Sequence, residues 1–146
     1  MELSRLLKGK TVFIDTAPLI FFIEKNAKYS ATVKPVIVLI DSGQSKGATS
    51  TITLLEVLVL PLREGNKKLA DTYRSILLSS NNLATCEITN EISERAAALR
   101  AKYGFKTPDS IQLATAIIRR ADYFLTNDLA LKQVKEIKVV VLEDYV

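Results

Sequence analysis

The 146-residue sequence contains no histidine and a single cysteine, Cys86. Without imidazole there is no base for a Ser/His or Cys/His nucleophile system, and the commonest zinc ligand is missing. One cysteine excludes an intrachain disulfide framework and a thiolate metal cluster. Its setting, Leu83-Ala84-Thr85-Cys86, reads as that of a small buried hydrophobe. Glycine and proline are few, at 5 and 4 residues, while 48% of the chain is hydrophobic. That balance points to one compact domain over residues 1–146 with a substantial core. Long apolar runs are also lacking: the longest, Ile52 to Leu62, is interrupted by Glu56 and too short to span a bilayer. The first ten residues hold no secretory apolar core, so the expected location is the cytoplasm, with no membrane partner.

What the chain does contain is acid in apolar surroundings. Asp15 follows Val12-Phe13-Ile14, and Glu56 lies within Leu54-Leu55-Glu56-Val57-Leu58. Asp109 stands in Pro108-Asp109-Ser110-Ile111, and Asp128 closes Phe124-Leu125-Thr126-Asn127-Asp128. Each aspartate has an ordinary structural alternative as a helix cap or a first-turn acid. Glu56 has no such local excuse: its neighbours three and four residues away are Ile52, Thr53, Val59 and Leu60, none of them basic. It reads as an unpaired buried carboxylate that requires either a bound cation or a distant lysine or arginine.

Four carboxylates gathered at one place raise one another's pKa, and Mg²⁺ or Mn²⁺, which prefer oxygen ligands, relieves that repulsion. The chemistry such a centre serves most naturally is phosphoryl transfer to a metal-activated water, with the acids as ligands rather than nucleophiles. Net charge is +4, from 20 basic and 16 acidic residues. With four acids sequestered, 20 basic side chains face 12 acidic ones elsewhere, a net +8 that favours a polyanionic partner.

Short β-rich runs alternate with longer helical ones, the pattern of a parallel α/β sheet. Strands are expected at Thr11 to Ile14, Ala48 to Ser50, Leu83 to Cys86, Tyr123 to Thr126 and Lys138 to Leu142. Helices are expected from Pro18 through Glu24, Thr32 to Ser42, Lys67 to Leu78 and Asn90 to Tyr103, the last stopped by Gly104. Asp128 to Val134 reads as a further short helix. Ile52 to Leu62 is apolar on nearly every face and is expected to be deeply buried. Thr107-Pro108-Asp109 combines an N-cap, a first-turn proline and an acid, opening a helix to Arg119. Strand C-terminal ends line up along one edge of such a sheet, where ligands bind, and Asp15 and Asp128 fall at or just past such ends.

At these residues the chain resembles a PIN domain, most closely the VapC-type ribonuclease toxins of prokaryotic toxin–antitoxin systems, over essentially its whole length. Four motifs in order carry the resemblance: Val12-Phe13-Ile14-Asp15-Thr16-Ala17-Pro18-Leu19-Ile20, Ser50-Thr51-Ile52-Thr53-Leu54-Leu55-Glu56-Val57-Leu58, Thr107-Pro108-Asp109-Ser110-Ile111-Gln112-Leu113-Ala114-Thr115-Ala116, and Thr126-Asn127-Asp128. One departure is that Ala17 and Pro18 stand where many members have Asn or Ser and Val or Ala. The resemblance implies a three-layer α/β/α sandwich with a central, mainly parallel sheet and a Mg²⁺- or Mn²⁺-dependent endoribonuclease site. It also implies an RNA substrate, tRNA among the candidates, a small antitoxin protein that blocks the site, and a homodimer. Asp15, Glu56 and Asp109 carry over as the principal metal-site and catalytic acids, with Asp128 completing the pocket. Thr126 and Ser50 carry over as hydroxyls that orient a carboxylate or a bound water, against the alternative of ordinary strand-end hydrogen bonding.

Of the adjacent Phe21 and Phe22, one is free to line an exposed groove, which in this family receives the antitoxin; burial of both rings is the alternative. Arg63, Lys67, Lys68, Lys102, Lys106, Arg119 and Arg120 are candidates for an RNA track. Receiver-type signalling domains need a lysine after the last strand, where this chain has Val141-Leu142-Glu143-Asp144. Haloacid-dehalogenase-type phosphatases need an acid two residues after Asp15, where Ala17 stands. A PIN-like module that binds RNA or protein without cutting, or a PIN ribonuclease of RNA processing without an antitoxin, remains the alternative.

Overall fold

The computed structural model describes residues 2–146. A first helix, α1 (Glu2–Leu7), leads into β1 (Thr11–Ile14), α2 (Thr16–Ile23), α3 (Ser30–Asp41) and β2 (Lys46–Ser50). The hairpin of α4 (Thr51–Glu64) and α5 (Lys67–Ser79) precedes β3 (Leu83–Cys86), α6 (Asn90–Tyr103), α7 (Thr107–Ile118) and β4 (Tyr123–Thr126). A 3-10 turn at Leu129–Gln133, β5 (Lys138–Val141) and a second 3-10 turn at Leu142–Tyr145 complete it. The strands form one parallel sheet in the order β3-β2-β1-β4-β5.

Strand alternation divides the core. Val12 and Ile14 point to one face of the sheet, against Leu19, Val33, Val36, Val57, Tyr73 and Leu77 of α2 to α5. Phe13 and Phe124 point to the other, where their rings stack at 5.3 Å against Ile92, Ala96, Leu99 and Leu113 of α6 and α7. The result is three layers, helices on both faces of a buried parallel sheet. Gly47 allows one close approach: a β-carbon there would lie 2.9 Å from Leu83 Cδ1 and 3.0 Å from Ile40 Cδ1, so these two side chains would have to shift.

The topology decides where a ligand can sit. From β1 the chain winds outward through β2 and β3, then returns to place β4 on the other side of β1. The crossovers after β1 and β4 therefore diverge, leaving a crevice at the C-terminal ends of these two strands.

Several sequence expectations change. Helix α4 is not buried all round: Leu55, Val59, Leu60 and Leu62 are 60%, 44%, 50% and 58% exposed. Only Thr53, Val57 and Pro61 are inside. The helix meets the sheet along one stripe and α5 along its flank, so the opposite face has no neighbour among the described residues. Thr107 is the first helical residue of α7 and not its cap; Lys106 occupies the cap position, and the Thr107 hydroxyl accepts from Arg100 at 2.6 Å instead. The helix α1, in a segment to which the sequence assigned no element, docks Leu3 and Leu7 into the first core cluster. Cys86 is buried and unpaired, as its apolar setting implies.

Candidate functional site

Asp15 ends the first strand, and its backbone N–H donates to Leu125 of β4 at 2.9 Å, holding it at the crevice between the two strands. Its side chain caps α2, accepting from the Thr16 N–H at 2.9 Å. The capping alternative for this residue is thus realised, yet it leaves both oxygens facing the crevice. Oδ2 accepts from the Thr126 hydroxyl at 2.8 Å, and that same oxygen of Thr126 accepts from the Asp128 N–H at 3.1 Å. Asp128 in turn caps the following 3-10 turn through Ala130 N–H at 3.0 Å. Asp109 stands in the first turn of α7.

Asp15, Glu56, Asp109 and Asp128 line a single open cleft of about 630 Å³, together with Thr16, Ala17, Ile20, Phe21, Thr126, Asn127 and Leu129. Four separate stretches of chain contribute to that wall, from the start of α2 to the turn after β4. Among the described residues, no lysine or arginine lines it.

Electrostatics register the crowding. Burial pushes the Asp15 carboxyl above its ordinary range, against hydrogen bonds from Thr126, Thr16 and Gln112 that favour its charge, and the Glu56 charge pushes it further. Asp109 is pushed up to about 6, first by desolvation and then by the charges of Asp15, Asp128 and Glu56; Lys106 opposes this. A consequence is measurable without metal. Between the ordinary carboxylate pKa and about 6, folded Asp109 holds a proton that the unfolded chain has released. Acidifying EDTA-treated protein from about pH 7.5 to about 5.5 should therefore raise its unfolding free energy, by about half a kcal/mol once solvent screening is allowed for. Asp109→Asn should flatten that slope in urea titrations. The carboxylates held low, Glu136 at about 2 by Tyr103 and Lys102 and Glu143 below its ordinary range by Lys28 and Tyr29, lose their contributions only below the ordinary value of 4.5, outside this window.

Glu56 departs from its sequence reading. It is exposed on the open flank of α4 and is not a buried orphan. It has no ion pair among the described residues, and its partner is the Thr16 hydroxyl, which donates to Oε1 at 2.6 Å. The unpaired carboxylate is real, but solvent and not burial is its setting.

Ser50 touches none of the four acids. Fully buried, it caps α4 through the Ile52 N–H at 3.1 Å and donates its proton to Gln112 Oε1. Gln112, 1% exposed, then reaches Asp15 from beneath. Neither Gln112 nor Thr16 stood out in the sequence as a site residue. The signal was present: Gln112 is a lone amide in an apolar run, three residues after Asp109 and so on the same side of the helix.

The adjacent phenylalanines diverge. Phe21 lines the acidic cleft and stacks on Tyr29 at 4.7 Å, while Phe22 turns into an apolar pocket with Ile37 and Ile76. None of the seven candidate RNA-track residues lines the cleft. Lys102 pairs with Glu136 at 3.2 Å, and Arg119 donates to Cys86 Sγ at 3.3 Å.

The donor set suits a hard cation in type and charge, since it offers four carboxylates, hydroxyl oxygens and no competing ammonium or guanidinium. The acids are spread along the cleft and, among the described residues, no three converge into a closed ligand set. Mg²⁺ fits such an arrangement because it keeps several waters and takes one or two carboxylates directly.

No described helix is long and apolar enough to cross a membrane. No curated protein matches the sequence. Among solved structures, a chain of the Rickettsia felis VapBC2 complex bound to a promoter DNA fragment is similar with TM-score 0.73 at 17% identity, over 90% of this chain and 98% of that one. A chain of a Klebsiella pneumoniae toxin–antitoxin complex is similar with TM-score 0.68 at 27% identity, over 90% and 97%. VapC20 of Mycobacterium tuberculosis, a sarcin–ricin-loop-cleaving toxin, follows with TM-score 0.63 at 19% identity, over 77% and 86%. The PIN domain family model matches residues 12–137, a span that runs from β1 to the residue before β5 and contains all four acids. On that match, with the parallel five-stranded sheet shared with these structures, the chain belongs to the PIN domain family.

Proposed function

We propose that this chain is a Mg²⁺- or Mn²⁺-dependent endoribonuclease of the VapC type, the toxin of a toxin–antitoxin pair. The observation that carries the reading is the cleft itself, with four carboxylates, no lysine or arginine among its described lining residues, and an open mouth at the switch point of a parallel sheet. When bound there, the divalent ion supplies water activation and charge neutralisation at a phosphodiester.

Asp15, Asp109, Glu56 and Asp128 would hold the ion. Thr126 fixes one oxygen of Asp15 and the backbone of Asp128, so two of the acids share one orienting hydroxyl. Thr16 does the same for Glu56. Ile20, Phe21 and Leu129 give the cleft an apolar wall on which a nucleobase can lie. An antitoxin partner is supported by the likeness to chains from toxin–antitoxin complexes and by the apolar face of α4, where Leu55, Val59 and Leu62 recur at helical spacing with nothing described over them.

Removing metal tests the chemistry. Purified protein incubated with labelled tRNA and total RNA should cleave in Mn²⁺ or Mg²⁺, lose at least roughly a hundredfold in rate in EDTA, and recover on adding Mn²⁺ back. Cleavage indifferent to EDTA would overturn the metal-dependent mechanism, and intact RNA under every condition would favour a binding module.

A further inference from the structure

We propose that Gln112 is a positioning residue that ties Asp15, at the entrance to α2, and Glu56, within α4, into one arrangement for a divalent cation. The inference rests on the metal-dependent reading of the cleft and adds to it a residue that does not line the cleft.

The amide is oriented from below. Ser50 uses its lone pair to accept from Ile52 N–H at 3.1 Å, which leaves its single proton for Gln112 Oε1. That bond turns the carbonyl end of the amide down and the NH₂ end up, toward the acids. One N–H goes to Thr53 Oγ1 at 2.7 Å. The other lies between Asp15 Oδ1 at 3.3 Å and Thr16 Oγ1 at 3.4 Å. Thr16 passes its own proton to Glu56 Oε1 at 2.6 Å. The chain of bonds thus runs from the buried Ser50 through Gln112 to Asp15 directly and to Glu56 through Thr16.

Glutamine suits this place for a physical reason. The position needs an acceptor at one end and two donors at the other, within a site that is 1% exposed. Glutamate would set another carboxylate against Asp15, and an apolar side chain would leave the proton of the buried Ser50 hydroxyl without its acceptor. The network is anchored as well as connected, because the Thr49 hydroxyl lies 2.8 Å from both the Ile14 carbonyl and Thr53 Oγ1. Strand β1, helix α4 and helix α7 are therefore joined under the cleft by polar bonds whose upper ends are the two acids. With Gln112 and Thr16 N–H on Oδ1 and Thr126 on Oδ2, Asp15 is held in one rotamer with both oxygens partly free for a cation.

The test is isothermal titration with Mn²⁺ alone on wild type, Gln112→Met and Thr16→Val, with melting curves in EDTA and in Mn²⁺. Gln112→Met keeps the length of the side chain and removes every polar bond; its Mn²⁺ dissociation constant should rise about 10–100-fold. Thr16→Val keeps the shape and the Ser50–Gln112–Thr53 bonds, loses the Thr16 hydroxyl's bonds to Glu56, Gln112 and Thr53, and should show a smaller rise. In an RNA cleavage assay both should lower kcat more than they raise KM. A merely structural Gln112 would lower the melting temperature in EDTA while leaving the Mn²⁺-induced increment and the dissociation constant as in wild type, and that result overturns the inference. Should Gln112→Met fail to fold, Thr16→Val with wild-type Mn²⁺ affinity overturns it equally. A wild-type chain that takes up no Mn²⁺ overturns both this inference and the metal reading beneath it, which separates the two failures.

Discussion

Asp15→Asn should abolish RNA cleavage, lowering kcat/KM by at least about a thousandfold, roughly 4 kcal/mol of transition-state stabilisation, while leaving the metal-free chain at least as stable as the parent. Asparagine is isosteric and remains an N-cap, able to accept from the Thr16 N–H as the carboxylate does. Its amide nitrogen then takes the place of Oδ2 and faces the Thr126 oxygen, which can accept from it once the hydroxyl turns. What it loses is the charge that, on the proposed mechanism, would hold a cation at the crevice between β1 and β4. That charge is held at a cost in the folded chain, because burial pushes the Asp15 carboxyl above its ordinary range. Activity and stability should therefore move in opposite directions. Cleavage assays beside urea unfolding in EDTA read both, and full activity in a folded Asp15→Asn variant would remove this residue from the mechanism.

Phe124→Ala should be the most damaging core substitution of those near the site, destabilising the chain by about 3–5 kcal/mol and lowering Tm by roughly 8–16 °C. Phe124 has no exposed surface and stacks on Phe13 at 5.3 Å, so truncation opens a cavity between two central strands and α7. The same two strands carry the site: Asp15 follows β1, and Thr126 ends β4. Local activity should fall with stability, because the register that brings Thr126 to Asp15 depends on this packing. Urea denaturation decides the matter, and a loss below about 1 kcal/mol would show that the two helices collapse into the space.

Much of the fold was legible in the sequence because its signals are local. Thr11 to Ile14 is a β-branched apolar run, and Gly104 ends α6 with φ +76, a conformation that favours glycine. Tyr73 and Leu77 lie on one helical stripe and both are buried. Strand ends were legible to within about one residue for Tyr123–Thr126 and Lys138–Val141. The faces of α4 were not legible, because hydrophobic periodicity says which side could be buried and not how many neighbours arrive to bury it. Leu55 and Leu62 read like core residues and stand in the open. Glu56 was misjudged for the same reason, since a buried setting was inferred from apolar neighbours of which Leu55, Val59 and Leu60 are themselves exposed.

By itself, the sequence determined the chemistry on offer: no imidazole, no disulfide, and four acids embedded in motifs of known order. Those are matters of composition and local pattern, which no fold can alter. Only the tertiary structure decided that Asp15, Glu56, Asp109 and Asp128 share one cleft, that Ser50 acts on Gln112 and not on an acid, and that the candidate basic residues stand outside that cleft. The reason is distance along the chain: Gln112 and Ser50 are 62 residues apart, and Thr126 and Asp15 are 111 apart. Their meeting depends on strand order and helix packing, which no local window of sequence contains.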